Sequence, residues 1–264
     1  MEDIMSTSVP VDAADLALCR SALYEALALG FRPPTQETVD RLSSTGGALA
    51  LADAAAVIDD AEGSDMAGFA GCLATLDPPQ GLAGLTVSFR RLFGHTARGP
   101  VSPYETEYGQ DALFQQSQEM SDLGGFLKAF GLTLRVEERE RIDHISCECE
   151  FAAFLARKEA YGMEQGDGEM AGATGRAARL FLRDHLGRFG LAFARKLTHE
   201  DPDGFYGNLG ALCGAFLSAE CARLGVTPGS EFLELRDVDL DDAPMACGNG
   251  SELLNIEAPD DSRE

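Results

Sequence analysis

Tryptophan is absent from this chain, histidine occurs four times, and 21 lysines and arginines stand against 44 aspartates and glutamates. The shortage of positive charge leaves a formal net charge of −23, a balance that repels nucleic-acid phosphates and the anionic face of a membrane. No stretch of about 18 apolar residues occurs. The opening residues, Met1 to Ser8, lack the basic and apolar regions of a secretory signal. The expectation is a cytoplasmic protein with neither a nucleic acid nor a membrane as partner.

The chemistry of catalytic and metal sites is also missing. Seven cysteines form an odd set without repeated spacing in a chain far larger than a disulfide scaffold, so they read as reduced thiols. Cys147 and Cys149, two residues apart on a helix, point about 200° from one another and cannot hold one ion together. His95, His144, His185 and His199 are too dispersed for a metal-ligand pattern. No oxyanion signature accompanies any cysteine and histidine. The glycine-rich stretch from Gly162 to Gly175 lacks the preceding strand and the Lys-Ser/Thr ending of a phosphate loop. No catalytic residue, metal or cofactor is therefore expected.

What is present is helical text. The 264 residues are 45% hydrophobic and 25% charged, enough for a sizeable core, and alanine and leucine dominate the apolar positions. Spacings of three and four predict a helix over 13–30 through Leu16, Cys19, Leu23, Ala26 and Leu27. Two or three short helices are expected between Thr35 and Leu76, then helices over Leu82–Phe93 and Leu113–Phe130. Gly131 to Arg141 reads as a charged hinge between two helical halves. Asp143 is placed to cap a helix running to about Tyr161, followed by a flexible glycine-rich loop. Helices over Thr174–Leu197 and Pro202–Leu224 complete the body, the last with an inward face of Phe205, Leu209, Leu212, Cys213, Phe216 and Leu224 and with Asp201-Pro202 as its cap. The expected architecture is all-α, a helical bundle of two subdomains joined by a hinge at about 131–143. Residues 12–230 form the domain. Residues 231–264, with 11 acidic and 2 basic side chains, form an acidic, flexible tail.

Two motifs stand out. In the first, Ser102-Pro103-Tyr104-Glu105-Thr106-Glu107-Tyr108, Ser102 and Glu105 have capping-box spacing with proline at the first helical position. That predicts a short helix with Tyr104 and Tyr108 on one face and Glu105 and Glu107 beside them. Such a face suits a cationic peptide; alternatively the tyrosines pack inward and Glu105 serves the cap alone. In the second, Asp143-His144-Ile145 opens a helix on which His144, Glu148, Phe151 and Leu155 fall in line. Glu148 sits mid-stripe among apolar neighbours, so it must be paired, hold its proton, or face a cleft. His144 either shares that cleft or belongs to a structural hydrogen-bond network. Arg176, Arg179 and Arg183 form a basic stripe, read as a solvated face bonded to local acids.

Together, Pro103-Tyr104-Glu105-Thr106-Glu107-Tyr108 and the Asp143-His144 pair with Glu148, Glu150 and Phe151 resemble the TorD/DmsD/NarJ maturation chaperones of molybdenum oxidoreductases, over roughly residues 13–225. The form of the first motif looks closest to the branch serving type II enzymes of the DMSO reductase family. Ile142 stands where many relatives have proline. The resemblance implies a non-catalytic cytoplasmic chaperone, acting as a monomer or a swapped dimer. It would bind the apo catalytic molybdenum subunit, often through a basic and apolar twin-arginine signal, until cofactor insertion is complete. The implied client-binding residues are Tyr104, Glu105, Glu107, Tyr108, Asp143, His144 and Glu148. The alternative is a helical cofactor- or nucleotide-binding protein, or an enzyme of unknown reaction.

Overall fold

The computed structural model describes residues 11–62, 65–74, 81–94, 98–109, 115–134 and 140–236. In chain order it contains α1 (Ala13–Gly30), α2 (Gln36–Thr38) running into a π-helical turn (Val39–Ser43), α3 (Thr45–Glu62), α4 (Met66–Cys72) and α5 (Leu82–Phe93). A 3-10 turn (Glu105–Glu107) precedes α6 (Gln115–Ala129), α7 (Ile145–Glu164), α8 (Gly168–Asp184), α9 (Leu186–Glu200) and α10 (Phe205–Leu224). Only isolated β-bridges accompany these helices among the described residues, and the all-α class holds. No helix among them is long and apolar enough to cross a membrane.

The core forms where helices that are apolar around most of their circumference meet. α1 and α10 have buried residues on nearly every side, the pattern of an interior helix. α1 lies along α7, and α10 packs on α9 while touching α1, α4, α5 and α8. Aromatic edges lock these crossings: Tyr24 against Phe216, Phe31 against Phe193, and Phe93 against Tyr206. A Cβ at Gly210 would lie 2.9 Å from the Ala194 carbonyl oxygen on α9, so the α9–α10 approach depends on the missing side chain.

Several expectations are corrected. The glycine-rich segment is not a loop. α7 continues to Glu164, the chain reverses at Gln165–Asp167, and α8 begins at Gly168 with the Asp167 carboxylate accepting from the Met170 amide at 2.9 Å. A Cβ at Gly162 would sit 2.9 Å from the Ala171 amide nitrogen; here the glycine brings two helices together instead of loosening the chain. The helix expected over Thr174–Leu197 is broken at His185, whose backbone (φ −130°, ψ −98°) turns α8 into α9. α10 starts at Phe205 rather than Pro202, with the Asp201 carboxylate accepting from the Tyr206 amide at 3.1 Å. Its inward face is as expected from Phe205 to Phe216, all buried, with Leu224 half-buried.

Arg179 donates to the Leu224 and Gly225 carbonyls and Arg183 to Asp184, both exposed, in keeping with a solvated stripe. Of the expected hinge, residues 135–139 lie outside the described residues, as do residues 237–264 of the tail. The segment through residue 236 is anchored: the Gly109 amide donates to the Glu234 carbonyl and the Arg236 amide to the Glu107 carbonyl.

Candidate functional site

The two motifs, far apart in sequence, pair with one another through their backbones. Tyr104 and His144 form an antiparallel bridge: the Glu105 amide donates to the Asp143 carbonyl at 2.9 Å and the Ile145 amide to the Pro103 carbonyl at 2.8 Å. Each motif then caps an element. The Asp143 carboxylate accepts from the Thr106 hydroxyl at 2.7 Å and from Arg141 at 2.8 and 3.0 Å. It thus holds the 3-10 turn of the first motif rather than the start of α7. The N-cap of α7 is His144, whose Nδ1 accepts from the Ser146 amide at 3.1 Å. That bond fixes the ring proton on Nε2, and burial pulls the His144 pKa down to about 4 against the opposing pull of Glu140 and Asp143.

The expected helix with both tyrosines on one face is replaced by a single turn. Ser102 Oγ accepts from the Tyr104 amide, two residues on, instead of capping a helix. Tyr104 is extended (φ −104°, ψ 126°), and the backbone pairing of Pro103 and Glu105 with Ile145 and Asp143 takes the place of helix initiation. The tyrosines consequently diverge. Tyr108 is buried, its hydroxyl donating to the Ser102 carbonyl at 2.8 Å and its ring lying against Phe189. Tyr104 is half-buried, donating to Glu140 at 3.3 Å, with Arg141 stacked 4.3 Å from its ring centre. Burial and then Glu140 push its hydroxyl pKa up to about 12.

Glu105 is fully buried, 2.8 Å from Arg188 and 3.1 Å from His185 Nδ1. Arg188 also holds Glu119 at 2.7 Å. Arg236 reaches Glu119 at 3.7 Å and donates to the Tyr108 carbonyl at 3.2 Å. Glu107 faces Arg98 at 3.7 Å. The seven residues expected to bind a partner are thus brought together, but Glu105, Tyr108, Asp143, His144 and Glu148 are interior, and Tyr104 and Glu107 are only half-buried. They form a knot tying the loop before α6, the start of α7, α9 and the segment through Arg236.

Beside this knot opens a cleft of about 510 Å³ between α1, α6 and α7. Leu29, Leu127, Leu132, Ile142 and Phe154 line it, Glu140 joins it to the knot, and Glu148 lies at its base. Around its mouth Arg32 pairs with Glu150, Arg157 with Glu25, and Arg41 with Glu37 and Glu25. Cys147 borders the cleft, and burial raises its thiol to about 12, which keeps it an unreactive thiol at neutral pH. Apart from Glu148, none of these lining residues is legible as a site in sequence: Leu29, Leu127 and Phe154 sit in apolar stripes identical in pattern to core positions. Among the described residues no group of three or more His, Cys, Asp or Glu is arranged to hold a metal ion.

Glu148 meets two of the three conditions its position in an apolar stripe imposes. It is 1% exposed, neither carboxyl oxygen has a hydrogen-bond partner among the described residues, and it borders the cleft. Burial, reinforced by Glu105 and Asp143, holds its pKa well above the carboxylate range.

Comparison with known proteins gives concordant matches. Residues 57–195, which contain both motifs, match the family described as nitrate reductase delta subunit. The chain is 33% identical over 132 residues to the selenate reductase assembly chaperone protein of Thauera selenatis, covering 48% of this chain and 63% of that protein, just under two thirds of its length. It is 31% identical over 160 residues to the chlorate reductase assembly chaperone protein of Ideonella dechloratans, covering 58% of this chain and 77% of that one.

Proposed function

The chain belongs to the redox-enzyme maturation chaperone family, and on that premise we propose that it holds the apo catalytic subunit of a molybdenum oxidoreductase of the DMSO reductase family in the cytoplasm. As a member of that family it is an assembly chaperone and not a catalyst. The client segment is a basic and apolar twin-arginine signal, held until the cofactor is in place.

The observation that carries this reading is the cleft: leucine and phenylalanine walls, a mouth ringed by carboxylates and their arginine partners, and an unpaired carboxyl beneath. A polypeptide that is apolar along its length and cationic at one end matches both parts. Exposed ion pairs contribute roughly 0.2–1 kcal/mol each, and a micromolar complex requires about 8 kcal/mol. Burying on the order of 300–400 Å² of apolar surface, at about 25 cal/mol per Å², offers a similar gross amount before ordering costs. The apolar walls therefore set affinity, and the charges set orientation and rate. In this reading Tyr104, Glu105, Glu107, Tyr108, Asp143 and His144 act by holding the cleft's shape, and Glu148 meets the client.

The test is co-purification from the native host with the wild-type chain and with Leu127→Asp, a half-buried wall position. Mass spectrometry is expected to identify a molybdenum-enzyme catalytic subunit with the wild type and its loss with the folded variant. Equal recovery with both would overturn the cleft as the binding surface.

A further inference from the structure

The charges buried around Glu148 are balanced without it. Glu105 from the 3-10 turn and Glu119 from α6 share Arg188 of α9, Glu119 also faces Arg236, and Asp143 faces Arg141. Three carboxylates thus meet three guanidinium groups. At the mouth, Arg32 is taken by Glu150, and Glu140 lies near His144 Nε2 at 4.0 Å. Glu148 is left as the carboxyl without an ion-pair partner among the described residues: it is buried at the edge of an open cleft, with both oxygens free of hydrogen bonds and shielded from solvent, so a ligand reaches them once the side chain turns into the cleft.

An isolated ionised carboxylate in such surroundings is costly, so the free protein keeps Glu148 as the neutral acid. Two unoccupied oxygens on one carboxyl are the acceptor geometry that a guanidinium fills with two parallel N–H bonds; an ammonium offers no such fork. We propose that Glu148 is the receptor for one guanidinium entering the cleft, which it accepts in exchange for a proton. The Glu148 O–H bond breaks, its proton passes to solvent, and the carboxylate accepts two N–H bonds, so the buried region gains a cation and loses a proton with no change in its net charge. This rests on the proposed function in one respect: there the guanidinium is an arginine side chain of the client segment. Client binding then becomes pH-dependent, tightening as pH rises toward the pKa of Glu148, because less work is spent removing the proton. Direction follows from the neighbours: Glu105, Asp143 and Glu119 favour the proton on Glu148 and Arg188 opposes it.

The probes are hexylguanidinium and its uncharged analogue hexylurea, titrated calorimetrically into the full chain at pH 7 in phosphate and in Tris, whose different ionisation enthalpies reveal proton release. Hexylguanidinium is expected to bind at least about tenfold more tightly than hexylurea and to release protons as it binds. Glu148→Gln is expected to abolish both the preference and the proton release. In the wild-type chain, the ¹³C carboxyl resonance of Glu148 moves from the acid to the carboxylate position on saturation, a readout that needs no variant. Equal affinity for the two probes, or an unmoved resonance, overturns the proposal. A synthetic peptide with adjacent arginines before a leucine-rich stretch separates the two claims. If hexylguanidinium binds with proton release and the peptide does not bind, the receptor stands and the client reading falls. If the peptide binds without proton release, the reverse holds.

Discussion

Glu105 provides the sharpest test of whether the first motif touches a client or supports the cleft. Its carboxylate accepts from Arg188 at 2.8 Å, lies 3.1 Å from His185 Nδ1, and is fully buried. Glu105→Gln keeps the shape and removes the charge. Loss of a charge-assisted hydrogen bond costs about 1.5–3 kcal/mol. Arg188 keeps Glu119 at 2.7 Å and is 31% exposed, so water and the remaining partner absorb part of the loss, and about 2 kcal/mol is expected. Tyr108→Phe removes a buried hydroxyl that donates to the Ser102 carbonyl, at about 1–2 kcal/mol. Against a typical total of about 5–15 kcal/mol, each single variant stays folded. Charge reversal at Glu105 combined with Tyr108→Ala does not: it places an ammonium beside Arg188 and adds a cavity of about 3–5 kcal/mol. Urea unfolding followed by far-ultraviolet circular dichroism measures the loss, and client capture per folded molecule measures function. Lower midpoints with near-normal capture are the expected result. An unchanged midpoint with lost capture in either conservative variant would refute the supporting role and place these groups in direct contact with the client.

Other consequences follow from the same geometry. His144 titrates near 4 when folded and near its ordinary 6.5 when unfolded. Between those values the unfolded chain binds a proton that the native one does not, so stability falls by about 3 kcal/mol from pH 6.5 to pH 4. His144→Asn, which can still cap α7, should flatten that acid slope in urea titrations. Glu148 behaves oppositely: with its folded pKa raised, its contribution is intact below the ordinary carboxylate range and is lost as pH climbs toward the raised value. Glu148→Gln should therefore gain thermal stability over wild type as pH rises above the ordinary carboxylate range, by about 2–4 °C per kcal/mol. Gly210→Ala forces a methyl against the Ala194 carbonyl and should cost about 1–3 kcal/mol by chemical denaturation. Deleting residues 231–264 removes Arg236 with its bond to the Tyr108 carbonyl and should lower the melting temperature. Removal of residues 237–264 leaves that bond in place, and scanning calorimetry of the two truncations compares them.

Local sequence determined the helical class and most helix positions, because apolar spacing of three and four is a property of neighbouring residues and survives any packing. It also marked Glu148, since an acid in an apolar stripe is anomalous wherever the helix lies. It brought forward the two motifs, but not their role. Whether Glu105 and Tyr108 face a partner or the interior depends on the Arg188 and Phe189 side chains of α9, some 80 residues away, and no local pattern encodes that choice. The same reason underlies the glycine-rich stretch. Gly162 and its neighbours read as flexible in isolation, and only the close approach of α8 gives the missing side chain a packing role. The break at His185 likewise answers to Glu105 and to the aromatic rings of Phe126 and Phe181 around it. The cleft belongs wholly to tertiary structure: Leu29, Leu127 and Phe154 carry the pattern of core residues, and they line an opening because α6 leaves a gap against the closely packed α1 and α7, so that apolar surface there is not covered by the chain's own described residues.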